Sequence, residues 1–372
     1  MKPETIEAAG VRLRPFREDD ADDIAAACAD PETQRFLPRL PRPYTRDDAL
    51  AWLRDAEPAA WAAGGANYAI ADPASDRLLG TIGLSHVDAD RAQGELGYWA
   101  APWARGRGVT TAATRLLAEH AFADGFHRLE ILADWANPKS VRIALAAGFG
   151  PEGARRGAAF NSDGSRRDVA VFARLAGDPA GPVARALPDL PDGRLTDGVL
   201  ALRPAAPDDV DFYLELMSTP DIVASHVPPL VPDREEIELR CARAQSRWLL
   251  GERADLVMVD AATGAPAGDI GLYYQEPPTA QAMIGYCVLP AFRGRGFARR
   301  ATALVARWAF DNTAIARLIA GTNPANAGSQ KVLESAGFLR EGYQRNRLPG
   351  IAGGRIDDIL WALLPGDLRE TS

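Results

Sequence analysis

Glu95-Leu-Gly-Tyr-Trp-Ala-Ala-Pro-Trp-Ala-Arg-Gly-Arg-Gly108 has a second version 188 residues on, Met283-Ile-Gly-Tyr-Cys-Val-Leu-Pro-Ala-Phe-Arg-Gly-Arg-Gly296. Each begins as a β-forming run, turns at a proline and passes through Arg-Gly-Arg-Gly into an amphipathic segment. In the second, Ala301, Leu304, Val305 and Trp308 fall at i, i+3, i+4 and i+7 of a helix. A helix N-terminus leaves its first N–H groups unpaired and carries partial positive charge, which suits an anion. Glycines allow close backbone approach and otherwise strained angles. Arg105 and Arg107, or Arg293 and Arg295, add donors that suit phosphate. Alone, the tetrapeptide fits an RNA-binding element or a flexible turn equally well. Its setting between strand and helix, twice in one chain, favours phosphate binding. It lacks the Gly-Lys-Ser/Thr ending of a Walker loop.

Matching pairs continue on either side of this segment. Leu13-Arg14-Pro15 returns as Leu202-Arg203-Pro204, Gly80-Thr-Ile-Gly-Leu84 as Gly268-Asp-Ile-Gly-Leu272, and Asn137-x-x-Ser140 as Asn326-x-x-Ser329. Ala147-Gly148-Phe149 returns as Ala336-Gly337-Phe338. A constant order at an offset of 188 or 189 residues marks a tandem duplication. The expected domains are residues 1–177 and 195–372, and the 372-residue length suits two domains. Residues 178–194 are rich in proline and glycine and are expected to form a semi-extended linker.

Composition narrows the function. Acidic side chains outnumber basic ones by 50 to 42, and the excess is shared at −3 for residues 1–177 and −5 for the remainder. Neither half has the basic surplus of a nucleic-acid binder. Only Lys2, Lys139 and Lys331 are lysines, so the cations are nearly all arginine. Cys28, Cys241 and Cys287 are too scattered for a disulfide framework or a zinc site, and no metal is expected. No apolar run approaches a membrane span, and the first ten residues lack a signal-peptide core, so a reducing cytoplasm is the expected location.

Both halves have one coarse order: an extended start, an acidic turn and helix, a second helix near 46–63 or 234–250, then three strands. The strands are expected near 67–72, 79–87 and 93–100, and near 256–260, 267–275 and 282–289. A helix, a strand, a helix ending at Gly148 or Gly337, and two closing strands complete each half. Asn161-Ser-Asp-Gly164 is a hairpin signal in the first. The fold class is therefore α/β, in an α+β layered arrangement, with a mixed twisted sheet flanked by helices in each copy.

The two segments quoted first, with Asn-x-x-Ser and Gly-Phe downstream, resemble the GNAT acetyltransferase superfamily, and most nearly its RimJ/RimL-type branch. The resemblance covers both copies but not the linker. It implies acetyl-CoA as co-substrate and direct transfer of acetyl to an amine in a ternary complex, with no covalent enzyme intermediate. The family's pyrophosphate loop falls on Arg105, Gly106, Arg107, Gly108, Val109 and Thr110, and on Arg293, Gly294, Arg295, Gly296, Phe297 and Ala298. Thr110 departs from the small residue expected there, whereas Ala298 agrees. The backbone of Trp99-Ala100 or Cys287-Val288 would pair with pantetheine amides, and one N–H would polarise the thioester. Glu95 resembles the carboxylate that takes the amine proton through water. Ser140 and Ser329 stand where a thiolate-protonating serine is expected, and Asn137 and Asn326 would bind cofactor or order the loop.

Each assignment has a plainer alternative: a solvated strand carboxylate for Glu95, and a helix N-cap or first-turn residue for the serines. Met283 replaces Glu95 in the second copy and cannot take a proton, so one or both copies could instead be non-catalytic acyl-CoA-binding modules that sense the cofactor or hold a partner domain. His86 draws interest among the four histidines. So does His226, in a Pro-rich loop that would border an acceptor site, although an ordinary loop histidine is the simpler reading. Cys287 reads as packing rather than nucleophile. The expected partners are acetyl-CoA and an amine acceptor, on a small molecule or a protein N-terminus, without nucleic acid or membrane; a homodimer is compatible with the sequence.

Overall fold

The computed structural model describes residues 1–8 and 10–369. It divides into two compact units, Met1–Ala184 and the remainder from Arg185. Among the described residues each unit is built on one eight-stranded sheet. In the first the strands are β1 (Ile6–Ala8), β2 (Val11–Arg14), β3 (Ala66–Ala71), β4 (Leu78–Asp88), β5 (Gln93–Ala100), β6 (Arg128–Asp134), β7 (Gly150–Phe160) and β8 (Arg166–Leu175). Their order is β1-β2-β3-β4-β5-β6-β8-β7. The second unit mirrors it with β9 (Leu195–Thr196), β10 (Leu200–Pro204), β11 (Arg253–Asp260), β12 (Pro266–Glu276), β13 (Gln281–Val288), β14 (Arg317–Thr322), β15 (Leu339–Pro349) and β16 (Arg355–Leu363). The mixed sheets agree with the expected fold class. The short edge strands β1 and β9 have no sequence signal of their own.

The first unit's helices are α1 (Ala21–Cys28), α2 (Pro31–Phe36), α3 (Arg46–Ala51), α4 (Glu57–Ala62), α5 (Val109–Ala123) and α6 (Pro138–Ala146). The second unit's are α7 (Val210–Ser218), α8 (Pro220–Ser225), α9 (Arg234–Leu249), α10 (Phe297–Asn312) and α11 (Ala327–Ala336). The expected helix over 46–63 is broken by a π-helical stretch, Trp52–Ala56, whereas α9 runs unbroken. The helices form layers on the sheets. Ala301, Val305 and Trp308 of α10 are buried in the main core of the second unit. Ile24 and Cys28 of α1 pack with Ala69 and Leu78 of the first sheet.

An acidic turn anchors each unit's start. Arg14 donates to both Asp20 oxygens at 2.8 Å, with both side chains buried. Arg203 and Asp209 repeat the pair at 2.7 and 2.6 Å, but Arg203 is 40% exposed. Asp20→Ala removes two charge-assisted bonds but leaves the buried Arg14 guanidinium its contacts with Asp76 and the Pro15 carbonyl, and is expected to destabilise the first unit by about 1–3 kcal/mol. Asp209→Ala is expected to lower stability less, because water reaches Arg203. Urea titration of the two variants checks the order.

The stretch expected to be a semi-extended linker is divided between the units. Val183 N–H donates to the Leu145 carbonyl at 2.8 Å in the first unit. Leu187 and Leu190 are buried in the second unit's core, where Trp248 Nε1 donates to the Pro188 carbonyl at 3.0 Å. Prolines do keep this stretch out of the sheet ladder, yet its leucines carry enough apolar surface to be drawn inward. No described helix is long and apolar enough to cross a membrane.

Candidate active site

The site is made by two neighbouring strands that part. β5 pairs in parallel with β6 through Gln93↔Arg128, Gly94↔Leu129 and Glu95↔Glu130, then runs on to Ala100 beyond that pairing. β13 and β14 do the same, pairing from Gln281↔Arg317 to Met283↔Ile319. Strand N–H and C=O groups past that point have no ladder partner on one side, so they are free for an extended ligand carrying amides. The last paired residues are Glu95 and Met283. Side-chain alternation sends Glu95, Gly97 and Trp99 to one face and Leu96 and Tyr98 to the other. Gly97 and Gly285 are exposed in mid-strand, and a Cβ on either would meet nothing within 4 Å, which leaves the crevice open.

The Arg-Gly-Arg-Gly turn follows each strand into α5 or α10. Gly106, Gly108, Gly294 and Gly296 all have φ between +73° and +77°, a region that favours glycine. Gly108 and Gly296 are the N-cap residues and provide no side-chain cap to their helices. By contrast, Asp30, Thr45 and Asp233 cap α2, α3 and α9 with side-chain oxygens. Two long helices thus present bare N–H groups at the mouth of the crevice.

The arginines are placed differently from the phosphate-donor expectation. Arg105 is bound by Asp30, by Glu32 at 3.1 Å and by Thr33 Oγ1 at 2.8 Å. Arg293 pairs with Asp221 at 2.6 Å, and its Nε donates to the Val288 carbonyl at 3.0 Å. Arg107 and Arg295 reach Asp72 and Asp260 at 3.3 and 3.4 Å. Each carboxylate takes up part of its guanidinium's five N–H donors, most fully at Arg105. Val109 and Phe297 are buried in the first turn, as is Thr110, while Ala298 is partly exposed.

Asn137 and Asn326 are N-caps, accepting from Ser140 N–H at 3.1 Å and Ser329 N–H at 3.0 Å. That is the order-giving alternative named for them. The serine hydroxyls face tyrosines of the parted strands. Tyr98 Oη lies 3.1 Å from Ser140 Oγ, and Tyr286 Oη lies 2.9 Å from Ser329 Oγ. Burial pushes the Tyr98 phenol up and the Tyr286 phenol up to about 12, so each keeps its proton at neutral pH. The side-chain role of these tyrosines was missed at the level of sequence. Alternation could have assigned their face, but not a partner 42 or 43 residues away.

Glu95 is partly buried, and burial raises its pKa above the ordinary glutamate value; His86 and Arg155 oppose the shift and Glu130 adds to it. His86 Nδ1 lies 3.7 Å from Glu95 Oε2 and 3.1 Å from Ser85 Oγ. A register shift between Ser85 and Asp88, with His86 at φ +50°, turns the imidazole there. In the second copy Met283 lies opposite Tyr273 in the equivalent register. Trp99 packs against the α1–α3 layer, Val288 against the main core of the second unit, and Cys287 against the α7–α9 layer. Ala100 ends β5 opposite Gly80. The remaining sequence-derived candidates, Gly106, Arg107, Gly294 and Arg295, lie in the exposed turns. The described residues contain no group of three or more side chains arranged to hold a metal.

A mixed sheet whose central strands part beside an uncapped, glycine-entered helix is present once in each unit. The acetyltransferase (GNAT) domain family matches residues 11–150 and again 200–339. The chain belongs to that family, and carries two of its domains. Similar curated proteins include "Probable N-acetyltransferase YjcK" of Bacillus subtilis, 42% identical over 86 residues, which are 23% of this chain and 47% of that protein. The ribosomal-protein-serine acetyltransferase of Escherichia coli is 32% identical over 101 residues, 27% of this chain and 56% of that protein. The chain thus spans about half the length of these curated relatives. A solved GNAT-family acetyltransferase from Bacillus anthracis is 20% identical, with 46% of this chain and 98% of that one covered, at a TM-score of 0.41.

Proposed function

We propose that the chain moves an acetyl group from acetyl-CoA to a primary amine by direct attack within a ternary complex. The observation that carries this reading is the conjunction, twice over, of an unladdered half-strand with an uncapped helix N-terminus. The strand edge at Leu96–Ala100 or Ile284–Val288 takes the pantetheine amides. Backbone N–H groups from Gly106 to Thr110, or Gly294 to Ala298, take the pyrophosphate, and the carboxylate-bound arginines hold the turn in shape. A strand N–H near Trp99–Ala100 polarises the thioester carbonyl.

In the first copy Glu95 accepts the amine proton, directly or through water, and His86 beside it carries that proton toward solvent. The neutral amine attacks the thioester carbon, and the C–S bond breaks as the tetrahedral adduct collapses. The leaving sulfur takes its proton from the Tyr98–Ser140 hydroxyl pair, whose phenol retains its proton at neutral pH, and the pair is refilled by the proton that the attacking nitrogen sheds. The acceptor is an amine of a small molecule or of a protein N-terminus. Met283 favours a second reading for the second copy alone, a domain that binds acyl-CoA without turning it over.

Calorimetric titration with acetyl-CoA, followed by an amine-library screen for released thiol, tests the proposal. Expected are saturable binding and at least one amine that releases thiol in proportion to its acetylation. Absence of binding at millimolar acetyl-CoA would sink it.

A further inference from the structure

The face of the second sheet that corresponds to the Glu95 face has been rebuilt. The strand registers equate Asp269 with Thr81, Cys287 with Trp99, and Tyr273 and Met283 with Ser85 and Glu95. The C-cap of α8 is His226, where α2 has Leu37. Two apolar residues of the first copy, Leu37 and Trp99, thus have an imidazole and a thiol as their counterparts. Cys287 is far smaller than tryptophan, and the partly buried His226 ring takes up that side of the strand, with Nε2 3.7 Å from Cys287 Sγ. Burial pushes the Cys287 thiol up, so it stays protonated and keeps a proton to donate. In the tautomer with its ring proton on Nδ1, His226 presents Nε2 with a lone pair beside the parted strand.

We propose that the second copy is a transferase site in its own right, in which His226 Nε2 replaces the missing carboxylate as the base for the amine. This rests on the acetyl-CoA reading given above, which puts the thioester beside Cys287–Val288. His226 takes one proton from the ammonium R–NH3+, and the freed lone pair forms the N–C bond to the thioester carbon. The C–S bond then breaks. The sulfur leaves with the proton that the attacking nitrogen sheds, relayed through the Tyr286–Ser329 hydroxyl pair 2.9 Å apart. The imidazolium gives its proton to water, so acetamide, CoA thiol and one proton are the products.

Burial above all keeps the imidazole neutral at pH 7. Burial lowers its pKa, Arg240 and Arg253 act in the same direction, and Asp269 opposes them. Arg240 in turn bonds Asp269 at 3.0 Å and Asp255 at 3.1 Å, and Arg253 Nε donates to Asp255 at 2.7 Å. The loop after His226 exposes Val227, Leu230 and Val231. An amine on an apolar body suits that rim, and phenethylamine is the probe.

The test uses the full chain and thiol release with phenethylamine and with whichever amines the wild type turns over. Glu95→Gln silences the first copy, and the activity left should show an acid limb below the ordinary histidine range. Adding His226→Gln should reduce that remainder by about 10²-fold and abolish the limb. A remainder that His226→Gln leaves unchanged in size and pH profile overturns the proposal while the acetyltransferase reading stands. A Glu95→Gln chain with no remaining activity also overturns it. Wild-type silence toward every amine overturns both. Histidine NMR guards against a folding artefact: the His226 resonance of the wild type should shift when acetyl-CoA binds, and an unmoved resonance rejects the placement.

Discussion

Gly108→Val is expected to abolish acetyl-CoA binding in the first copy, and Gly296→Val in the second, so that calorimetric stoichiometry falls from two to one with either and to zero with both. The cause is backbone conformation rather than collision, since a Cβ at either glycine would meet nothing within 4 Å. At φ of +73° and +77° a β-branched residue is an outlier, so the turn must change shape. With no side-chain cap at these positions, the first helical N–H groups would then point away from the pyrophosphate. Each charge-assisted hydrogen bond is worth about 1.5–3 kcal/mol. Losing two weakens binding by about 10²–10⁴-fold. Unchanged stoichiometry in a variant would show that its loop never held the cofactor.

Glu95→Gln, placed in a Gly296→Val background so that only the first copy turns over, is expected to lower kcat/KM by about 10²–10⁴-fold. The sign of the pH dependence follows from the role. A base must be deprotonated, so activity is present above the Glu95 pKa and lost as pH falls through it. Burial raises that pKa, and the limb should sit above the ordinary glutamate range. His86 lowers it, so His86→Ala should move the limb to still higher pH while Glu95→Gln erases it. A pH profile that Glu95→Gln leaves unchanged would assign the proton to another group.

Much of this site was legible before any coordinates. The motif strand was marked out by Glu95–Ala100, the proline and glycines fixed where strand gives way to helix, and the repeat supplied the second site. These are short-range constraints, written in consecutive residues. The pairing of Tyr98 with Ser140, the binding of Arg105 by α2 and the approach of His226 to Cys287 depend on chain segments brought together by folding. No spacing rule encodes them. The arginines show the risk of reading chemistry from type alone: each has the right donors for phosphate, yet each already faces a carboxylate. The π-helical stretch at Trp52–Ala56 was hidden because its composition is compatible with an ordinary helix.

The burial of Leu187 and Leu190 bears on where one cooperative unit stops and the next begins. Family resemblance in the second copy spans 200–339, but its core also draws on these two leucines and on Trp361 and Leu363 from its last strand. A fragment cut to the homology borders would lose both ends of its own interior and expose the apolar walls they cover. The two copies differ on the face of the parted strand, where Met283 stands for Glu95 and Cys287 for Trp99, while the apparent tether contributes Leu187 and Leu190 to the second core. What sequence presents as a spacer is part of the second domain's mechanical foundation.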